Sequence, residues 1–258
     1  TMKRIALLGM PNTGKSTLFN RLSGASARVG NWPGITVDLM SAKILAGSQI
    51  AELIDLPGLY DLHGFSDDEQ VVRHFLSNNE VDLVCIVLNS TQIDRQLSLA
   101  LQIRNLGIPA ILLLNMQDEA KRAGITIDAA AMAAHINMPT LQLSAKYGDG
   151  CPALLQKMAE VINQNTPKMN ADEVAKRLEA DNQIELEMQA IVNNTVQIPT
   201  TLNNKTTDNI DKVLLHPWFG LPIFIISIFF LFQFIFTVGA PLQDAMAWLL
   251  DQTRTVIL

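Results

Sequence analysis

Eight residues near the start of the chain, Gly9-Met10-Pro11-Asn12-Thr13-Gly14-Lys15-Ser16, spell GxxxxGKS between a short apolar run and a helical pattern. Glycines at this spacing let main-chain N–H groups curl around phosphate oxygens, and the N-terminus of the helix adds its positive end. Lys15 is placed to reach the β and γ phosphates, and the Ser16 hydroxyl to ligate Mg²⁺. A glycine-rich βα turn without a ligand is the plainer alternative, and the strand before and the helix after weigh against it.

Three further groups fall into line with the first. Asp55-Leu56-Pro57-Gly58 closes an apolar run, where a carboxylate can hold Mg²⁺ through water and the Gly58 N–H can meet a γ-phosphate. Asn115-Met116-Gln117-Asp118 follows Ala110–Leu114, and Ser144-Ala145-Lys146 follows Leu141–Leu143. All four therefore stand at the carboxyl ends of expected strands, where open α/β sheets bind ligands. Asp118 selects the base: its carboxylate accepts from guanine N1–H and the 2-amino group, donors that adenine lacks. GTP and GDP are the expected ligands.

The elements that must position these groups are readable from hydrophobic periodicity. From residue 1 to 165 short apolar runs (Ile5–Leu8, Val81–Leu88, Ala110–Leu114, Leu141–Leu143) alternate with helical stretches (Lys15–Leu22, Asp68–Ser77, Arg95–Asn105, Ile127–Ile136, Gly150–Asn163). The pattern predicts an α/β domain with a mixed, mostly parallel sheet. Val37–Leu45 and Gln49–Ile54 flank Ala46-Gly47-Ser48 and predict an antiparallel hairpin at the sheet edge. Residues 166–212 carry five basic and eight acidic residues and helical spacing at Val174, Leu178, Ile184, Met188 and Ile191. They predict a small all-α domain with a thin core that leans on a neighbour.

No Asp, Glu, Lys or Arg occurs in the 31 residues between Lys212 and Asp244. A helix of about twenty such residues matches the roughly 30 Å hydrocarbon core of a bilayer, so one transmembrane helix is expected over 213–240, with Trp218 and Trp248 as flanking anchors. A buried core helix is the alternative, but the rest of the chain offers little to surround so many aromatic side chains. Residues 241–258 are expected to form an interfacial segment outside. Lys205 and Lys212 before the run, against Arg254 alone after it, place residues 1–212 in the cytoplasm.

Composition narrows the function classes. A net charge of −6, with 19 scattered basic residues, argues against a nucleic-acid partner. Two cysteines, Cys85 and Cys151, match neither a disulfide framework nor a zinc pattern, and His63, His74, His135 and His216 have no metal-ligand spacing. Ile5–Leu8 is too short for the apolar core of a signal peptide, and the chain reads as a piece of a longer protein.

The four motifs resemble those of the translation-factor-related class of small GTPases, with Met116 where the guanine motif usually has lysine. That exchange removes a stem and an ammonium group that would pack on the base, and weaker nucleotide binding is expected. Together with Asn31-Trp32-Pro33-Gly34-Ile35-Thr36-Val37, Asp55-Leu56-Pro57-Gly58-Leu59-Tyr60 and Leu214-Leu215-His216-Pro217, it is similar to the ferrous iron transport protein B family, over nearly the whole chain. The resemblance implies a G domain, a helical spacer modulating GDP affinity, and the first helix of a membrane domain carrying Fe²⁺ in a bacterial inner membrane. Homo-oligomers and small accessory transport proteins are implied as partners.

It further implies that Thr36 meets Mg²⁺ and the γ-phosphate, and that Asn12 and backbone carbonyls near Trp32 hold K⁺. Mg²⁺ would then sit at Ser16, Thr36 and, through water, Asp55. Thr17, Gly34 and Ile35 complete the nucleotide-binding set of Gly9, Asn12, Thr13, Gly14, Lys15, Ser16, Thr36, Asp55, Gly58, Asn115, Asp118, Ser144, Ala145 and Lys146. Leu59 stands where many GTPases carry a water-orienting glutamine. No catalytic base is assigned, Lys15 and Thr36 supporting the transition state, and slow, K⁺-stimulated GTP hydrolysis is expected. A soluble GTPase of ribosome assembly or tRNA modification, and a GTP switch tethered to a membrane, are the rival readings.

Overall fold

A computed structural model describes residues 2–32, 35, 37–164, 171–178, 184–198 and 220–257. Its main sheet is built from β1 (Lys3–Gly9), β2 (Arg28–Gly30), β3 (Leu39–Ala46), β4 (Gln49–Asp55), β5 (Leu83–Asn89), β6 (Ala110–Asn115) and β8 (Thr140–Gln142). The strand order is β2-β3-β4-β1-β5-β6-β8, parallel from β4 through β8 and antiparallel at β2, β3 and β4. The β3–β4 hairpin turns at Gly47-Ser48, with Ala46 opposite Gln49. It does not form the edge, as its alternation suggested. The three-residue β2, too short to show a period, takes that place.

Both faces of the sheet are covered, which is why β1, β5 and β6 read as unbroken apolar runs. On one face Ala6, Leu8, Val84, Ile86, Leu112 and Leu114 pack with α2 (Asp67–Asn78), α3 (Ile93–Leu106) and α5 (Ala129–Ile136). On the other, Ile5, Leu7, Cys85, Val87, Ile111 and Leu113 pack with α1 (Lys15–Ser23) and α6 (Cys151–Asn163). Helix α2 begins with a full capping box between Ser66 and Glu69. Ser66 donates to Glu69 through its main chain, and this holds the Glu69 carboxyl below the ordinary carboxylate range. Helix α5 starts two residues later than its periodicity indicates, capped by Asp128, because Thr126–Ile127 is drawn into a strand, β7.

The chain divides into two compact units, Thr1–Pro199 and Thr200–Leu258. In the first, α7 (Ala171–Leu178) and α8 (Ile184–Thr195) pack on α2 and α3, burying Val174, Ile184 and Ile191 in the same core as the sheet. Arg104 of α3 donates two bonds, 2.7 and 2.9 Å long, to the Glu187 carboxylate of α8, which it holds below its usual range. A two-residue strand after α8, β9 (Val196–Gln197), pairs with β7. The thin helical module thus borrows its core from the sheet domain.

In the second unit the described residues form a helix, α9 (Gly220–Ile257), that runs through Pro241. The expected separate segment at 241–258 is therefore part of the same helix, up to Ile257. The boundary expected after residue 240 falls at Pro241, and a proline inside a helix can be accommodated as a kink. From Phe224 to Val238 the described side chains of α9 are exposed, Phe224, Phe229, Phe234 and Phe236 among them. Among the described residues no helix is long and apolar enough to cross a membrane, so the span expected over 213–240 is not met there. Residues 213–219 lie outside the described residues.

Candidate nucleotide site

The loop between β1 and α1 is shaped by two left-handed residues, Asn12 (φ 62°) and Gly14 (φ 80°). Alternation of this kind turns successive N–H groups to one side and makes a concave anion nest. Gly14 is required twice over: its φ disfavours a side chain, and a Cβ there would stand 2.3 Å from Asn115 Nδ2. The Thr13 hydroxyl donates to Met10 O (2.9 Å) and closes the loop from inside. Around it lies a cavity of about 380 Å³, lined by residues 10 to 17 together with Gly58 and Asp68.

Lys15 is buried, and its Nζ donates to the Asp55 carboxylate and to Leu56 O. The P-loop lysine and the carboxylate at the end of β4 are thus brought into direct contact, bridging the first two motifs. Leu56 N donates to Leu7 O (3.1 Å) and Leu59 N to Gly9 O (3.2 Å), fastening the DxxG segment alongside β1. A Cβ on Gly58 would come within 3.3 Å of Pro11. Leu59 is buried in the core, so the position that lacks glutamine serves packing.

At the end of β6, Asn115 connects the other two motifs to the P-loop. Its Nδ2 donates to Thr13 O (2.8 Å) and its Oδ1 accepts from Ala145 N (2.9 Å). Ser144 Oγ donates to Asp118 Oδ1 (2.7 Å) and accepts from Asp118 N (3.2 Å). The Ser144 hydroxyl, above all, holds the Asp118 carboxyl below the usual carboxylate range. Asp118 is not itself the cap of α4 (Gln117–Arg122): left-handed Met116 is, and Asp118 lies in the first turn. Its charge there complements the helix dipole.

Met116 Cε lies 3.5 Å from where a Gly14 Cβ would stand, so the methionine side chain reaches the P-loop. It carries no ammonium group. The Trp32 carbonyl accepts from Ile35 N (3.1 Å), and its ring packs edge-on against Phe75 and beneath the Arg4 guanidinium. Trp32 is not among the residues lining the cavity with Asn12. Gly34 and Thr36 lie outside the described residues.

Ser16 and Thr17 are exposed at the cavity, and Lys146 and Ile35 are partly or fully accessible. Asp68, in the first turn of α2, also lines the cavity. Arg21 carries no distinguishing sequence signal, since an arginine in the last turn of a helix looks like an ordinary dipole partner. Among the described residues no cluster of His, Cys, Asp and Glu could hold a metal ion by itself. Oxygen donors from Ser16 and Asp55 suit a hard cation such as Mg²⁺, which takes few protein ligands.

A family model described as ferrous iron transport protein B matches residues 3–158. The chain belongs to that family. Among curated relatives, the Fe(2+) transporter FeoB of Synechocystis sp. is 45% identical over 243 residues, covering 94% of this chain and 39% of that protein. The Campylobacter jejuni Fe(2+) transporter FeoB is 35% identical over 248 residues, covering 93% of this chain and 40% of that one. The chain thus spans about two fifths of the length of these FeoB relatives. Among solved structures, the cytosolic domain of Legionella pneumophila FeoB is 29% identical with a TM-score of 0.66, covering 76% of this chain and all of that one. The cytosolic domain of Thermotoga maritima FeoB, in a GMPPNP form, is 26% identical with a TM-score of 0.67 and the same coverage of this chain and its own. The α/β fold with a mostly parallel sheet is the FeoB G-domain fold.

Proposed function

We propose that residues 1–165 bind GTP and hydrolyse it slowly as the G domain of a bacterial Fe²⁺ uptake transporter, with the helical residues 166–212 tuning GDP affinity. The observation that carries this reading is Asn115, whose carboxamide ties the P-loop to the guanine loop at the ends of parallel strands. Fe(2+) transporter is the printed name of the relatives above, and GMPPNP accompanies one solved relative. Family membership removes the ground for the ribosome and tRNA readings.

Lys15 leaves Asp55 to meet the β and γ phosphates, and main-chain N–H groups of residues 12–16 hold the anionic oxygens. Asp118 faces the base beside the loop that Asn115 holds at Ala145 N–H, and it enters ionised because Ser144 donates to it. Mg²⁺, held by Ser16, Thr36 and Asp55, would supply charge neutralisation when bound. K⁺ is assigned to Asn12 and the Trp32 carbonyl, an oxygen with two lone pairs that also accepts from Ile35 N–H. The exposed apolar run of α9 is covered by the lipid of an inner membrane, with residues 1–212 on the cytoplasmic side. Transport, oligomers and small accessory proteins belong to the longer protein.

Titration calorimetry with GDP and ADP in Mg²⁺ tests the assignment: GDP binds and ADP does not, and equal affinities overturn it. GTP turnover measured in KCl and NaCl at equal ionic strength tests the cation. Faster turnover in KCl, abolished by Asn12→Ala, is expected.

A further inference from the structure

The loop that carries Ser144, Ala145 and Lys146 is closed on itself by Ser144 N to Asp149 O (3.0 Å) and Gly148 N to Ser144 O (2.8 Å). Asn115 and Asp118 hold its leading edge, at Ala145 N and Ser144 Oγ. Its trailing edge is held differently. Arg21, in the last turn of α1, donates from Nε to Ala145 O (2.5 Å) and from Nη2 to Lys146 O (2.6 Å).

We infer that Arg21 is a positioning residue that fixes the guanine loop relative to the phosphate loop. A guanidinium is planar, permanently charged and forked, so it can grip two consecutive carbonyls where a lysine could grip one. Because a trans peptide turns C=O and N–H in opposite directions, holding Ala145 O toward α1 turns Lys146 N–H away from it. The same helix begins with Lys15 and Ser16. Five residues at about 1.5 Å rise separate Ser16 from Arg21, so one rigid turn and a half sets the spacing of base loop and phosphate loop. Nothing in the pattern of the guanine motif requires this arginine.

The inference rests on the guanine reading, and the experiment separates the two. Release of a fluorescent GDP is timed in the full chain and in Arg21→Ala and Arg21→Lys. Loss of two charge-assisted bonds in a partly exposed setting predicts release roughly tenfold faster for alanine, with lysine between it and the native chain. A second readout uses the two buried thiols. Cys151 follows the loop directly and is buried with 7% exposure, while Cys85 lies wholly buried inside the sheet. Burial raises the Cys151 thiol above its ordinary range, and the Arg21 charge opposes that rise. Removing the charge would by itself slow alkylation, so faster labelling of Cys151 by N-ethylmaleimide in Arg21→Ala reports an opened loop. Cys85 should stay unlabelled. Unchanged GDP release in Arg21→Ala, beside a native chain that binds GDP, overturns the inference, as does labelling of both cysteines together. A native chain that binds no GDP overturns the guanine reading itself.

Discussion

Strand β6 and helix α9 are both made of large apolar side chains, yet they meet opposite surroundings. In β6, Ile111, Leu112, Leu113 and Leu114 are wholly buried between two helical layers. In α9, Phe224, Phe229, Phe230 and Phe236 are each at least 60% exposed within the chain. Hydrophobic content alone therefore does not say what covers a segment. The strand ends in Asn115 and so converts its rigid placement into a nucleotide contact, whereas the helix displays a surface that water covers poorly, at roughly 25 cal/mol per Å².

Placing a charge in each element is the strongest way to break this contrast. Leu113→Asp puts a carboxylate between α1 and α6, at a cost of several kcal/mol against a total stability of about 5–15 kcal/mol. Loss of the cooperative thermal transition is expected. Phe229→Asp should leave the melting temperature of the nucleotide domain within a degree or two and instead weaken partition into lipid vesicles. Equal losses of melting temperature would show that α9 is packed on protein.

Asp118→Asn probes the end of β6 without touching its packing. The charge is lost and an amide donor faces the guanine 2-amino group in place of one acceptor oxygen, so GTP affinity should fall roughly 100-fold, and xanthosine nucleotides should be gained because xanthine offers an acceptor where guanine has its amino group. Calorimetry with both nucleotides decides it, and unchanged GTP affinity would remove Asp118 from the base site.

What sequence could say about these regions depended on how local each signal is. The P-loop is contiguous, and its chemistry survives in eight letters. Asn115 stands at the end of a buried run, so its height on the sheet was legible, although its two bonds reach Thr13 and Ala145 across 102 and 30 residues. Arg21 and Trp32 were illegible for the same reason: their partners are main-chain carbonyls, or Phe75 and Arg4, that no periodicity links to them. Strands of two or three residues carry no period, which hid β2, β7 and β9. Leu59 was read for the glutamine it lacks, and burial gives it a packing role.

Ser144→Ala gives a smaller effect with a definite sign. The native Asp118 carboxyl is held low, so the ionised, guanine-accepting form is present at neutral pH and is lost as pH falls through that lowered value. Removing the hydroxyl raises the value toward that of an ordinary carboxylate. GDP affinity in the native chain should stay flat from about pH 8 to 5, while the variant, roughly fivefold weaker throughout, should begin to fall near pH 5. A pH profile parallel to the native one would assign the depression to the helix terminus.

The smallest effect tests whether the Met116 stem already does the packing of a lysine stem. Its Cε reaches the P-loop at Gly14, so Met116→Lys adds little besides an ammonium group near solvent. Both residues are unbranched and meet the same left-handed backbone at φ 61°, which leaves the conformational cost nearly unchanged. A partly solvated charge near the nucleotide contributes a few tenths of a kcal/mol, so GDP should bind about twofold tighter. Tightening of tenfold or more would mean that methionine leaves the base unsupported and that weak binding is built into this motif. An unchanged affinity would place the whole contribution of this position in its apolar stem.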